Sequence, residues 1–434
     1  MKPINKEILS LTVPSIITNI TTPLLALMDV AIVGHMGDAS YIAAIAVGGT
    51  IFNMIYWLFA FLRMGTSGMS AQAHGASDNT ELNLVLARGI IVALGASLLI
   101  IIMSPLIGRM AFAVMEVEPQ VRAMVWRYFA ILVWGAPAVL CTYTLSGWSL
   151  GRKNPKAPMW VSFIINIGNI IVSLVLVYVF RLKIEGVAIG TLSAQWLGVI
   201  AFSVIVIRKY HPTVKDPGQI FRRGTIRRFF SVNADIFLRT CCLIAVTVWF
   251  TRVGAEQGTV TLAVNTLLMQ FFVMFSYFMD GFAFAGEAIC GNCLGASDRS
   301  RLDTAIHALL RWGLWVAASF TLIYFTCGEW IMQLLSGDEN VVTVSREYFH
   351  WVILIPLTGF LAFTWDGVYI GITRTHEMLL SMALSTILYF TLYFLLYPHI
   401  GNHGLWIAFI CYLLSRGVVL HTVINRVKSK IFLH

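Results

Sequence analysis

Apolar residues follow one another in stretches of about twenty positions or more, broken by short polar segments, from one end of the chain to the other. At about 1.5 Å of rise per residue, each stretch is long enough to cross a hydrocarbon core about 30 Å thick. Lipid offers the backbone no hydrogen-bond partners, so each stretch must satisfy itself as a helix. The short alternating segments of an outer-membrane barrel do not occur. The predicted spans are 8–34, 42–72, 84–108, 126–150, 159–180, 186–207, 229–253, 261–293, 305–325, 348–370, 379–396 and 404–425. The fold class this predicts is all-α and integral to the membrane, with twelve transmembrane helices.

Composition agrees. The 434 residues are 58% hydrophobic and only 12% charged, against about 25% charged in an average soluble domain. Lys and Arg decide the orientation. With the N-terminus cytoplasmic, the inner loops and ends carry 19 basic residues and the outer loops seven. Both termini are therefore expected in the cytoplasm. The same distribution accounts for the net charge of +9: the basic residues flank membrane spans, where they suit anionic lipid headgroups, and no nucleic acid is called for. The first span lacks a small-residue cleavage site after a short apolar core and reads as a retained helix. Of the seven cysteines, Cys290 and Cys293 make one CxxC without a second pair or a His cluster, so metal and redox roles give way to helix-end packing. There is no HExxH zinc motif and no Gly-rich phosphate loop, which removes the commoner membrane-enzyme chemistries. No cofactor and no metal site is expected.

The chain repeats itself. The basic segment from Arg208 to Arg228, with Pro212 and Pro217, separates six spans from six. The predicted organisation is 1–207 as an N-terminal six-helix bundle, 208–228 as a cytoplasmic linker and 229–434 as a C-terminal six-helix bundle. At one offset of 220 residues, Gly34 meets Gly254, the run Gly75-Ala76-Ser77-Asp78 meets Gly295-Ala296-Ser297-Asp298, and Gly147 and Gly151 meet Gly367 and Gly371. Six spans per half give both copies the same membrane orientation, so the expected pseudo-twofold axis lies along the membrane normal, as in repeat-built transporters. The paired Gly-xxx-Gly motifs serve either close helix packing or a hinge.

An ionisable side chain in mid-span costs about 2.5 to 3.5 kcal/mol on insertion scales, so each needs a reason. Asp29 stands in the first span with no basic residue on its own helix. Burial disfavours its charge, which suits it to taking up and releasing a proton. Thr18, Thr22 and Leu25 precede it on the same face, and Pro14 and Pro23 interrupt the ladder behind it, where the helix bends or straightens. The fifth span aligns Ser162, Asn166, Asn169 and Ser173 on one face, and the sixth adds Thr191 and Gln195. These polar groups serve either helix–helix hydrogen bonding or a network around Asp29. In the second half, Asp235 and Arg239 are four apart and read most simply as an ion pair. Asp280 and Glu287 share a face of the eighth span, and Asp366 lies in the tenth. With Arg239 and Arg63 as the intramembrane bases, the acids are in excess, which favours protons, sodium or cationic substrates. Tyr389, Tyr393 and Tyr397 recur every fourth residue, for bundle packing or for contact with an aromatic cation.

These residues together resemble the multidrug and toxic compound extrusion transporters, and within them the DinF-like branch. The resemblance spans essentially the whole chain. It rests on Asp29-Val30-Ala31-Ile32-Val33-Gly34-His35, on Phe61-Leu62-Arg63-Met64 with Ala71-Gln72-Ala73, and on Asp235-Ile236-Phe237-Leu238-Arg239. Asp280-Gly281-Phe282-Ala283 with Glu287-Ala288, Asp366-Gly367 with Ile370-Gly371, and Gly401-Asn402-His403 complete it. The resemblance implies a V-shaped pair of bundles in the bacterial inner membrane, acting as a monomer and exporting amphipathic, often cationic compounds in exchange for protons or sodium. Asp29 then matches the proton-coupling acid, Pro14 the bending proline, and Asn169 and Thr191 polar partners. Ser173 stands where many relatives carry a second acid. Rival expectations are sodium coupling at Asp235, Asp280, Glu287 and Asp366, or flipping of a lipid-linked substrate.

Overall fold

The computed structural model describes residues 3–34, 39–114 and 119–432, so His35 of the first motif lies outside the described residues. The described chain is helical, without strands. Its α-helices are α1 Pro3–Gly34, α2 Ala39–Leu58, α3 Phe61–Gly75, α4 Asn79–Val114, α5 Pro119–Leu132, α6 Ala136–Gly151 and α7 Lys156–Leu174. They continue as α8 Ile184–Tyr210, α9 Arg223–Glu256, α10 Thr259–Gly295, α11 Arg299–Leu335, α12 Glu339–Gly371, α13 Thr375–Ile400 and α14 Asn402–Phe432. Among the described residues twelve segments are long and apolar enough to cross a membrane, with α2–α3 and α5–α6 each joined into one broken span. The predicted spans and these agree in number and place. Side chains facing outward along them are largely bare Leu, Ile, Phe and Trp, such as Leu98, Ile102, Trp315, Phe325 and Leu334, as a lipid-facing surface requires.

The helices form two compact units, one of Pro14–Phe229 and one of Met1–Val13 with Phe230–His434. The division within α1 falls at Pro14, whose carbonyl accepts from the Thr18 hydroxyl at 2.9 Å. Residues 3–13 thus group with the C-terminal unit, not with the N-terminal bundle to which the sequence boundary of 1–207 assigns them. There Glu7 pairs with Arg301 at 2.9 Å and Asn5 accepts from the Trp312 indole at 3.3 Å. The linker belongs to the other unit. Arg88, buried within α4, donates to the carbonyls of Gln219 and Ile220 and pairs with Glu81 at 2.8 Å, while Asn83 holds the Thr213 carbonyl.

Each unit builds its core on the same backbone device. In the first, a methyl group on Gly151 would sit 2.6 Å from the Ser67 carbonyl oxygen, so α6 lies backbone to backbone on α3. In the second, a methyl group on Gly371 would sit 2.6 Å from the Glu287 carbonyl oxygen, and α12 lies on α10 in the same way. Gly147 and Gly367 make matching contacts with Arg63 and Ala283. Of the two roles open to these glycines, close packing is the one the contacts express. The helix connections repeat as well. Ser77 and Ser297 take left-handed backbone angles, with φ of 56° and 54°, and Asp78 and Asp298 cap the following helices by accepting from Glu81 and Arg301 at 2.9 Å. Lys153 and Thr373 are a further left-handed pair at the same spacing.

Candidate functional site

The N-terminal unit encloses a cavity of ≈ 470 Å³. One face of α2 supplies much of its wall, from Ile45, Gly49, Phe52 and Tyr56 with Ala46, Thr50, Asn53 and Trp57, positions that helical periodicity brings to one side. Tyr128 of α5, Thr142 and Tyr143 of α6, and Thr191 and Gln195 of α8 complete it with Asp29 of α1. Among the described residues no basic residue lines it, and Asp29 is its one acid.

Asp29 is buried, and both carboxylate oxygens are engaged. The Asn169 amide donates to Oδ1 at 3.1 Å and to the Thr191 hydroxyl at 2.8 Å, and Thr191 in turn donates to Oδ2 at 3.0 Å. This closed ring spans α1, α7 and α8. Both carboxylate oxygens accept from it, so it is arranged for the ionised form. A protonated acid needs an acceptor instead, which the Thr191 hydroxyl can become by turning its proton away; Asn169 Oδ1, also buried, has no hydrogen-bond partner among the described residues. Taking up a proton therefore reverses or breaks at least one bond of the ring.

The remaining predicted members of this network stand apart from the ring. Asn166 donates to the Ser162 carbonyl at 2.8 Å, and Ser162 meets the Thr21 hydroxyl at 2.7 Å, a second link between α7 and α1. Gln195 lines the cavity, but its Oε1 lies against Gly135 and makes no hydrogen bond with the described residues. Ser173 is wholly buried where α7 meets Gly190 of α8, a contact so close that even a methyl group on Gly190 would strike Ser173 backbone atoms. The close approach of α7 and α8 at this point depends on Gly190. The side chain of Thr22 lies outside the described atoms.

The C-terminal unit corrects the expected ion pair. Arg239 does not close on Asp235 one turn away; its guanidinium reaches from α9 to Asp366 on α12, and Arg416 of α14 joins the same Asp366 oxygen at 2.8 Å. Asp366 is the more deeply buried acid and has the greater need of a cation. Asp235 is served instead by the Thr375 hydroxyl at 2.8 Å, with His376 at 4.0 Å. Arg416 is a further intramembrane base beside Arg239 and Arg63, and it removes part of the acidic excess read from the sequence. Asp280 is within electrostatic reach of Arg416, and Glu287 is buried in α10 beside the Gly371 contact. Tyr389 and Tyr393 are core residues, packed against Tyr412 and Trp249, and neither lines the cavity.

The 220-residue repeat is also where known proteins match. The family model described as MatE fits residues 14–175 and, a second time, residues 234–395. The chain belongs to the MatE family. It is 34% identical to the DNA damage-inducible protein F of Escherichia coli (strain K12) over 425 residues, covering 97% of this chain and 92% of that protein. It is 22% identical to the multidrug resistance protein MdtK of Edwardsiella ictaluri (strain 93-146), over 96% of this chain and 94% of that one. A MATE transporter solved in the bent conformation shares the fold with a TM-score of 0.86 at 18% identity, over 99% of this chain and 97% of that one.

MatE proteins are secondary transporters and not enzymes, and this one is a multi-pass membrane protein. Two of its site features escape the sequence reading. Arg416 sits in a span otherwise read as apolar, and its role depends on a partner 50 residues away. The cavity wall on α2 consists of aromatic and small residues whose spacing equally suits a packed core; only Asn53 and Thr50 hint at an open face.

Proposed function

We propose that this MatE protein exports amphipathic, often cationic compounds across the bacterial inner membrane in exchange for protons, with Asp29 as the coupling acid. The observation that carries the reading is Asp29 itself. It is the one acid among the described residues of an aromatic-walled cavity, and its hydrogen-bond ring must rearrange when it gains a proton. A cation in the cavity and a proton on Asp29 answer the same negative charge, so the two exclude each other and exchange follows. Ser173 offers no second acid, which leaves Asp29 as the coupling group of this unit. The multidrug resistance named for the Edwardsiella relative supports the substrate class. One proton moving down about 100 mV supplies about 2.3 kcal/mol, and a pH unit about 1.4 more. That is enough for a substrate gradient of roughly several hundredfold. The basic-residue count supports placing both termini in the cytoplasm, and the chain acts as a monomer.

The test is dye export from proteoliposomes under an imposed pH gradient. Asp29→Asn is expected to abolish gradient-driven export and its pH dependence while leaving the protein folded. Export by the variant at the normal rate would end the proposal.

A further inference from the structure

The buried ion cluster of the C-terminal unit plays no part in the mechanism above. Asp366 receives two guanidiniums on one oxygen, from Arg239 and from Arg416, and all three residues are nine-tenths or more buried. A buried carboxylate in a membrane protein needs hydrogen-bond donors, a proton or a cation, and at Asp366 the structure supplies cations. Arg416 is built in as a tethered one. Its guanidinium rests over the Tyr412 ring at 5.4 Å, and its own carbonyl is held by the Ser381 hydroxyl at 3.0 Å. With Asp280 also in electrostatic reach, two acids face two arginines, and the cluster carries no net charge for a free cation to neutralise.

We infer that Arg416 determines ion choice: it occupies the place beside Asp366 that a sodium ion would otherwise take, so that the C-terminal unit refuses sodium. The inference rests on the reading of the chain as an ion-driven exporter only for its consequence, since the ion-binding property belongs to the cluster alone. Removing the guanidinium leaves two acids against Arg239. Glutamine at position 416 would leave that excess charge in place and add a carbonyl oxygen, the kind of ligand a hard monovalent cation takes.

The test is equilibrium binding of radiolabelled sodium to purified protein at alkaline pH, with no gradient, so that its outcome is independent of whether Asp29 couples protons. Wild type and Arg416→Lys are expected to retain none above background. R416Q should bind saturably, at least about tenfold above wild type, and the double variant R416Q/D366N should lose that binding. Sodium binding by wild type that D366N abolishes would overturn the inference, as would folded R416Q that binds no more than wild type. A second measurement stands on wild type alone, in case R416Q does not fold. At clamped pH, added sodium should leave dye export unchanged, and stimulation would overturn the inference.

Discussion

The hydroxyl of Thr191 donates to Oδ2 of Asp29 at 3.0 Å while accepting from Asn169 at 2.8 Å, so one side chain links the acid to its amide partner. A hydrogen bond to a charged group is worth about 1.5–3 kcal/mol. Thr191→Val keeps the shape and removes the link. Proton-driven export should fall by about tenfold or more, and Thr191→Ser should restore most of it. Equal rates for the valine variant and wild type in the proteoliposome assay would show that the ring is not part of coupling.

Gly371 gives a test of packing. Valine there must push α12 away from the α10 backbone, and overpacking of this kind costs typically about 1–3 kcal/mol. Gly371→Val should lower the thermal unfolding midpoint in detergent. Gly95→Ala, at a position with open space around it, should leave the midpoint unchanged.

Asp366→Asn leaves two buried guanidiniums without their shared acid. Breaking a buried ion cluster in this way costs about 3–5 kcal/mol. Combining it with Arg416→Met should recover a substantial part of the lost stability, read from the same unfolding midpoints. A double variant no more stable than D366N would mean that the carboxylate has some other structural role.

Trp57 lines the cavity from α2 and keeps part of its surface open. If aromatic cations bind there, Trp57→Ala removes an interaction of about 0.5–2 kcal/mol. Dye affinity, followed by fluorescence titration, should weaken by up to about thirtyfold. Neutral dyes of the same size should lose less.

Much of the molecule is written in local pattern. The spans follow from apolar run length, and the helix-packing glycines follow from an offset that the chain repeats at independent places. Asp29, Asn169 and Thr191 were legible for a related reason: an acid without a basic neighbour on its own helix has to find donors on others, and the polar faces of α7 and α8 advertise them. Pairings between distant helices were not legible. Arg239 is four residues from Asp235, and one-dimensional spacing favours that partner, yet the long guanidinium reaches the acid with the greater desolvation penalty. Nor does spacing distinguish Asn166, which bonds back to its own helix, from Asn169, which faces Asp29. A polar face is visible in sequence, but which of its members reaches across depends on helix rotation.

The offset that separates the two MatE matches has one more consequence. Carried through the site, it matches Asp29 with Trp249, Asn169 with Tyr389 and Ser173 with Tyr393. In the C-terminal unit these are rings in contact, Trp249 edge-on to Tyr393 at 5.8 Å and Tyr389 against Tyr412 at 6.1 Å. Duplication has left these positions polar beside a cavity in one copy and filled by packed rings in the other. Matched positions are therefore not interchangeable: the bulk that would choke the first copy is what fills the second.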